Sequence, residues 1–561
     1  MRLAGRALLF AACLAGVSCD DQAGAPAGGG DALGDAERPD DARVEDAARD
    51  AMADAMGRRS DRGVDGMVDD MGALDADLRD AMVGDGMWLD GAGGDALADD
   101  ATVVDAATGD AMVDDAMAGD AGPMAPPPLF DLAFLRDPST LDCQFERPRQ
   151  TLRSGVALDV WNVSYVSYEA RDGALHPIRI RGFAARPLGA APLPGIIQAH
   201  GLGGFAEESH ATGPASLLHA FVLAYTGPGG GNAPENTSEG LPAGHDNGRR
   251  MFDVVPDLRG SWFWGHAVAA MRGLGCLAQH PDVDPERLGM TGYSAGAVAT
   301  LIATGVDDRI KVAVPLSGTG AWGEAVRSPT AWQHGLLTQA GLDVNSVEWL
   351  TLLENLDAAQ LIAGTRAHVL MVNGSTDEFF PLTAHVATYA NVPDPEKRTS
   401  ISANYDHGCY AISGVEPANV IEERARVHAE GGQLMWFSHY FGLDPFFEHV
   451  PPAPTLALQP AGAAAVAVAT VGDPGAGLEV ESVRYWWSND SAWLFGAVDL
   501  DDQGGGLYGG LVPAPDGNTV YYIDVQYRTR QLLTPRSFSL SSVPVIPPGF
   551  VPRIRANENC L

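Results

Sequence analysis

The feature that most restricts this chain is a serine held between glycines at a strand-to-helix junction. Residues 287–291 (RLGMT) read as a strand, 297–304 (AVATLIAT) as a helix, and Gly292-Tyr293-Ser294-Ala295-Gly296 lies between them. A chain that passes from strand to helix in so few residues must turn sharply at the serine, and glycines two positions either side remove Cβ atoms that would clash. Such a turn needs a sheet whose strands are followed by helices. The rest of residues 129–450 supplies one, with short apolar runs at Gly195-Ile196-Ile197, Phe221–Ala224, Leu288–Met290, Val312–Val314 and Val369–Val372. Helical patterns fill Trp262–His280, Gly296–Thr304 and Ile421–Tyr440. Continuous apolar strands are buried on both faces, so the expected unit is α/β with a largely parallel sheet.

The chemistry follows from what a serine hydroxyl lacks. It is a weak nucleophile that needs a base, and the base needs a carboxylate to fix its tautomer. Asp377 follows the apolar strand HVLMVNG, and His407 follows the strand-like Thr399-Ser400-Ile401-Ser402, in a loop bounded by Gly408. The order Ser294, Asp377, His407 is the one that nucleophile-elbow hydrolases use. Glu378 is the competing acid, set aside because Phe379 and Phe380 turn the chain toward the next helix. Amide donors for an oxyanion are expected from Ala295 and from Leu202, in the loop His200-Gly201-Leu202-Gly203-Gly204. That loop also fits a GxGxxG/A dinucleotide fingerprint over Gly201–Ala206, but the next strand ends Ala224-Tyr225-Thr226 without the ribose-binding carboxylate.

These residues resemble a known family. Asp284–Gly289 (DPERLG), the His-Gly loop, NGSTDEFFPL and NYDHG are together similar to the α/β-hydrolase superfamily, nearest its dienelactone-hydrolase, acetylxylan-esterase and prolyl-oligopeptidase branch. The resemblance covers about Pro194–Phe441. It implies an α/β-hydrolase fold with a mostly parallel eight-stranded sheet, a Ser294, Asp377, His407 triad, and hydrolysis of a small-molecule or polymer-borne ester. No metal or cofactor is implied. A serine peptidase or amidase is the rival with the same chemistry, and a non-catalytic binding protein on a hydrolase scaffold is the rival from another class. Residues 321–363 are expected as a lid, with Trp322, Trp332 and Trp349 either lining an acyl pocket or packing the core.

Composition separates the remaining segments. Residues 20–120 carry 28 Asp and Glu against 7 Arg and no Lys, an excess of 21 negative charges within the total of 37. Repeated Asp-Ala-Met fragments with Trp88 as the sole aromatic residue cannot offset the entropy of ordering, so residues 20–128 read as a disordered spacer. So acidic a chain, with only Lys311 and Lys397 as lysines, excludes nucleic-acid binding through clustered cations. Neither lysine lies in a phosphate-binding GxxxxGK[ST] loop. Residues 1–19 read as an export signal, with Arg2 and Arg6 before an apolar run, and Cys19 before Asp20-Asp21 resembles the lipidated cysteine of bacterial lipoproteins. Gly16 stands where that family usually has Leu. The chain is therefore expected in the cell envelope, lipid-anchored to the membrane, or secreted. Cys143, Cys276, Cys409 and Cys560 leave three disulfide pairings open. Residues 455–561 alternate polar and apolar, with Asp516-Gly517 as a turn, and read as an all-β sandwich-like domain. Its Tyr485, Trp486, Trp487 and Trp493 are either core or a sugar-stacking platform.

Overall fold

The structure, a computed structural model, describes residues 128–554 except 190–191, 243–247, 249, 408–415 and 531–533. The export signal, Cys19, the acidic segment, Cys409 and Cys560 lie outside the described residues.

Eight strands form the expected central sheet: β1 (Val156–Arg171), β2 (Ala174–Pro187), β3 (Leu193–Ala199), β4 (Phe221–Tyr225), β5 (Val283–Tyr293), β6 (Ile310–Leu316), β7 (His368–Gly374) and β8 (Arg398–Ser402). Their spatial order is β1-β2-β4-β3-β5-β6-β7-β8. Pairing is antiparallel at β1–β2 and β2–β4 and parallel from β4 through β8. This is the α/β-hydrolase fold. The parallel strands β3 to β7 contain the apolar runs read from the sequence, and β4, β6 and β7 are buried along nearly their whole length. The β1–β2 hairpin escapes that reading because its strands carry polar residues among the apolar ones. Its signal is the Asp172-Gly173 turn, where both residues have positive φ (51° and 73°), as a tight hairpin requires.

Helices cover both faces. Helix α1 (Glu208–Leu218) and the long C-terminal helix, built from α9 (Ala418–Arg426), a wider turn at Val427–Gly431 and α10 (Gly432–Phe441), share a core on one side. On the other lie α2 (Trp262–Ala278) and α3 (Ala295–Val306). Helix α3 is apolar all round, as a helix enclosed by its neighbours must be. A disulfide joins Cys143 to Cys276 in α2, with Cα atoms 5.4 Å apart.

Residues 321–363 form four short helices: α4 (Trp322–Ala325), α5 (Trp332–Gln339), α6 (Val347–Asn355) and α7 (Ala358–Leu361). Trp322 and Trp349 are buried and stack at 6.2 Å, so they belong to the core. Trp332 is half-buried and meets Phe379 at 4.6 Å. Helix α8 (Leu382–Asn391) follows β7.

The C-terminal region is all-β, in two sheets. β9 (Thr455–Ala461), β10 (Ala464–Thr470), β13 (Asp501–Gly504) and β14 (Leu507–Pro513) form one, in the order β9-β10-β14-β13. The other is not self-contained: β11 (Leu478–Ser488), β12 (Gly496–Asp499), β15 (Val520–Thr529) and β16 (Ser537–Ser541) extend the central sheet. The junction is the antiparallel pairing of β8 with β16. Period-two alternation identifies such strands but not the edge they join. Tyr485 and Trp486 are core residues, buried to 0% and 3% exposure, which removes them from any sugar-stacking surface.

Candidate active site

Ser294 occupies the turn between β5 and α3 with φ 59° and ψ −123°, a conformation that ordinary residues avoid. The two glycines show why the turn needs them. A Cβ at Gly292 would sit 2.4 Å from the Gly296 carbonyl oxygen, and one at Gly296 would sit 2.4 Å from that of Ala199. Both obstacles are backbone, which cannot swing aside as a side chain can.

The parallel sheet brings the other two residues to the same edge. His407 Nε2 lies 2.8 Å from Ser294 Oγ, and its Nδ1 lies 2.9 Å from Asp377 Oδ2. Asp377 is fixed in turn, because its Oδ1 accepts the backbone N–H groups of Phe379 (2.9 Å) and Phe380 (2.8 Å). The order of bonds sets the tautomer, with the proton on Nδ1 facing the carboxylate and Nε2 free to accept from the hydroxyl. Burial opposes a charged imidazole here, yet Asp377, Glu378 and Asp406 together hold the His407 pKa above its ordinary value. Phe379 and Phe380 flank the ring at 4.4 and 5.6 Å.

Glu378 binds the backbone of His407 and not its ring. Its Oε2 accepts the backbone N–H of His407 at 3.0 Å, and the imidazole goes to Asp377. Burial, then the carboxylates of Asp406 and Asp377, push the Glu378 pKa up to about 7. Tyr293 donates its hydroxyl proton to the His407 carbonyl oxygen. Glu378 and Tyr293 thus grip the backbone of His407 from two sides. Sequence reasoning missed both roles, since neither depends on a motif.

The loop after β3 passes directly against the serine. A Cβ at Gly201 would lie 3.1 Å from Ser294 Cβ and 3.6 Å from Oγ, so glycine at this position leaves the serine room. Ala295 opens α3, where helical amides have no partner within the helix. The loop is braced by His200, whose Nε2 accepts the Gly227 N–H at 2.8 Å while Nδ1 lies 2.7 Å from the Gly201 carbonyl oxygen. Burial lowers its pKa to about 4 and keeps it neutral. The loop's neighbours also argue against a dinucleotide: Glu207 and Glu208 stand at the start of α1, where a pyrophosphate would meet like charge.

No family model matches the chain. Among solved structures, it is similar to an acetyl xylan esterase from Paenibacillus sp. R4, with 19% identity, a TM-score of 0.41, and coverage of 49% of this chain and 86% of that one. Acetyl xylan esterase 1 from a Thermoanaerobacterium species gives 18% identity and a TM-score of 0.40, over 51% of this chain and 87% of the other. An acylaminoacyl peptidase from Pyrococcus horikoshii gives 17% identity and a TM-score of 0.33, over 53% and 41%. No activity is carried over to this chain at such identities. The site's own geometry has to supply the chemistry.

Proposed function

We propose that this chain is a serine hydrolase that cleaves carboxylic esters through an acyl-enzyme. The observation that carries the reading is the pair of hydrogen bonds, 2.8 and 2.9 Å, linking Ser294, His407 and Asp377 at a strained turn. In the proposed cycle His407 takes the Ser294 proton as Oγ attacks the ester carbonyl. The oxyanion is held by the Ala295 and Leu202 amides, each such donor contributing about 3–4 kcal/mol to lowering the barrier. His407 then protonates the leaving alcohol, activates a water for deacylation and returns to its starting state. Asp377 keeps the imidazole oriented and stabilises its charged form. The half-buried Trp332 beside Phe379 places apolar surface near the base, where an acyl group would lie.

The export signal and lipid attachment at Cys19 belong to the same proposal, as the means of holding the enzyme at a membrane surface. One acyl chain contributes about 0.8 kcal/mol per buried CH₂, and stable anchoring takes a second chain. Palmitate labelling of wild type, lost on Cys19→Ser, tests it.

The functional test is hydrolysis of a short-chain p-nitrophenyl ester by the full chain beside Ser294→Ala. Turnover lost in the variant supports the reading. A folded wild type that is inactive on esters but cleaves aminoacyl amides would replace it with the peptidase reading.

A further inference from the structure

The C-terminal β region meets the base loop at Asn404. Asn404 stands three positions before His407 and is buried to 1% exposure with φ 57°, in the left-handed region that Asn tolerates better than most residues. Its side-chain amide makes a two-point match with the backbone of Phe495. Asn404 Nδ2 donates to the Phe495 carbonyl oxygen at 2.9 Å, and the Phe495 N–H donates to Asn404 Oδ1 at 2.8 Å. Nδ2 also lies 3.3 Å from Glu416 Oε2.

Asn404 is joined to the acid loop as well. Its N–H donates to Ser375 Oγ at 2.9 Å, two residues before Asp377, and the neighbouring Tyr405 carbonyl oxygen accepts the Thr376 N–H at 3.2 Å. The approach is tight, for a Cβ on Gly374 would lie 2.2 Å from the Tyr405 oxygen. On the helical side Arg424 donates to the Ala403 carbonyl oxygen at 2.8 Å and pairs with Glu416. Ser375, Thr376, Glu378 and Arg424 all precede the C-terminal strands. Phe495 comes from among them, on the connection between β11 and β12. Beneath the match, Ile401, Ala403 and Leu382 share one apolar cluster with Trp486, Phe495 and Tyr522.

We propose that the C-terminal β region is a working part of the active site: the backbone of Phe495 holds Asn404 and, through it, the loop that presents His407 to Ser294 and Asp377. Asn404 is a positioning residue, since it touches none of the reacting atoms. The inference rests on the reading of His407 as the base. It gives the C-terminal region a role in turnover beside any it has in substrate capture, and residues 129–450 alone would hold their base loosely.

Asn404→Gly tests it in the full chain, because glycine accepts the left-handed φ without strain and keeps the backbone bond to Ser375 while removing the side-chain bonds to Phe495 and Glu416. The expected result is a fall in kcat of at least tenfold with KM changed less than about twofold. The midpoint of His407, followed by NMR titration of its ring, should also fall as Asp377 loses its aligned partner. Val525→Ala, a buried change in β15 remote from the loop, serves as the comparison and should lower Tm while leaving kcat per folded molecule as in wild type. If Asn404→Gly likewise lowers only Tm, with kcat and the His407 titration as in wild type, the positioning role is overturned. If wild type hydrolyses no ester yet Asn404→Gly still displaces the His407 titration, the esterase reading fails while the positioning role stands.

Discussion

Asp377→Asn is the substitution whose outcome the structure specifies most fully. Asp377 Oδ1 accepts two backbone N–H groups, from Phe379 and Phe380, and these donors do not move when the side chain changes. The asparagine must therefore keep its oxygen on that side, since turning the NH₂ toward them would oppose donor to donor twice. That places Nδ2 against His407 Nδ1, so Nδ1 has to accept and the ring proton moves to Nε2, which faces Ser294 Oγ. A protonated Nε2 cannot take the serine's proton. The loss expected from this tautomer reversal is about 10⁴-fold in kcat, or roughly 5.4 kcal/mol of barrier at 1.36 kcal/mol per decade. Tm should change little, because both backbone bonds survive. The assay is kcat and KM on a p-nitrophenyl ester, with Tm measured on the same preparation. A loss smaller than about tenfold would refute the reasoning and move the orienting role to Glu378 or Asp406.

Three further outcomes follow from the same geometry. Because the His407 pKa is held above 6.5 and the neutral ring is the working form, kcat/KM should rise with pH through a midpoint above 6.5; a limb centred well below that value would contradict the assignment. Glu378 has a folded pKa of about 7, raised from 4.5, so its contribution to stability is fully present below 4.5 and is lost as pH rises through 7. Glu378→Gln should therefore raise Tm relative to wild type at pH 8.5 more than at pH 5, and equal differences at the two pH values would show that burial does not penalise the carboxylate. The Cys143–Cys276 bond closes a loop spanning 133 positions, worth about 5 kcal/mol on the chain-entropy account; the double Ser variant should melt well below wild type, and an unchanged Tm would contradict it.

Much of the site was legible because its parts lie where one-dimensional patterns are strongest. The parallel strands β3 to β7 are buried on both faces and show as apolar runs, and an elbow between strand and helix needs its glycines close in sequence. Asp377 and His407 could be found because each follows a strand of that sheet, at the edge where loops collect. What escaped depends on which distant segments touch. Glu378 accepts the His407 N–H, and Tyr293 reaches the His407 carbonyl oxygen, only because β5, β7 and β8 end at the same edge of the sheet. Asn404 gave no signal, since its partner lies 91 positions away and acts through its backbone. The joining of β16 to β8 was hidden for the same reason, although the buried Ser400, which donates to the Ser539 carbonyl oxygen, and Ser541, which accepts the Ile401 N–H, are unusual polar residues for strand interiors. The lid tryptophans show the remaining limit, because composition does not distinguish a pocket wall from a core. Trp322 and Trp349 proved to be core, and Trp332 faces Phe379 beside the base.

The central claim is that Ser294 is a nucleophile activated by His407, and covalent capture tests it without reference to any natural substrate. Full-length protein treated with an alkyl fluorophosphonate and mapped by peptide mass spectrometry should carry one adduct, on Ser294, with labelling greatly slowed in His407→Ala. Folded wild-type protein that takes up no label, or takes it up on another residue, would contradict the account.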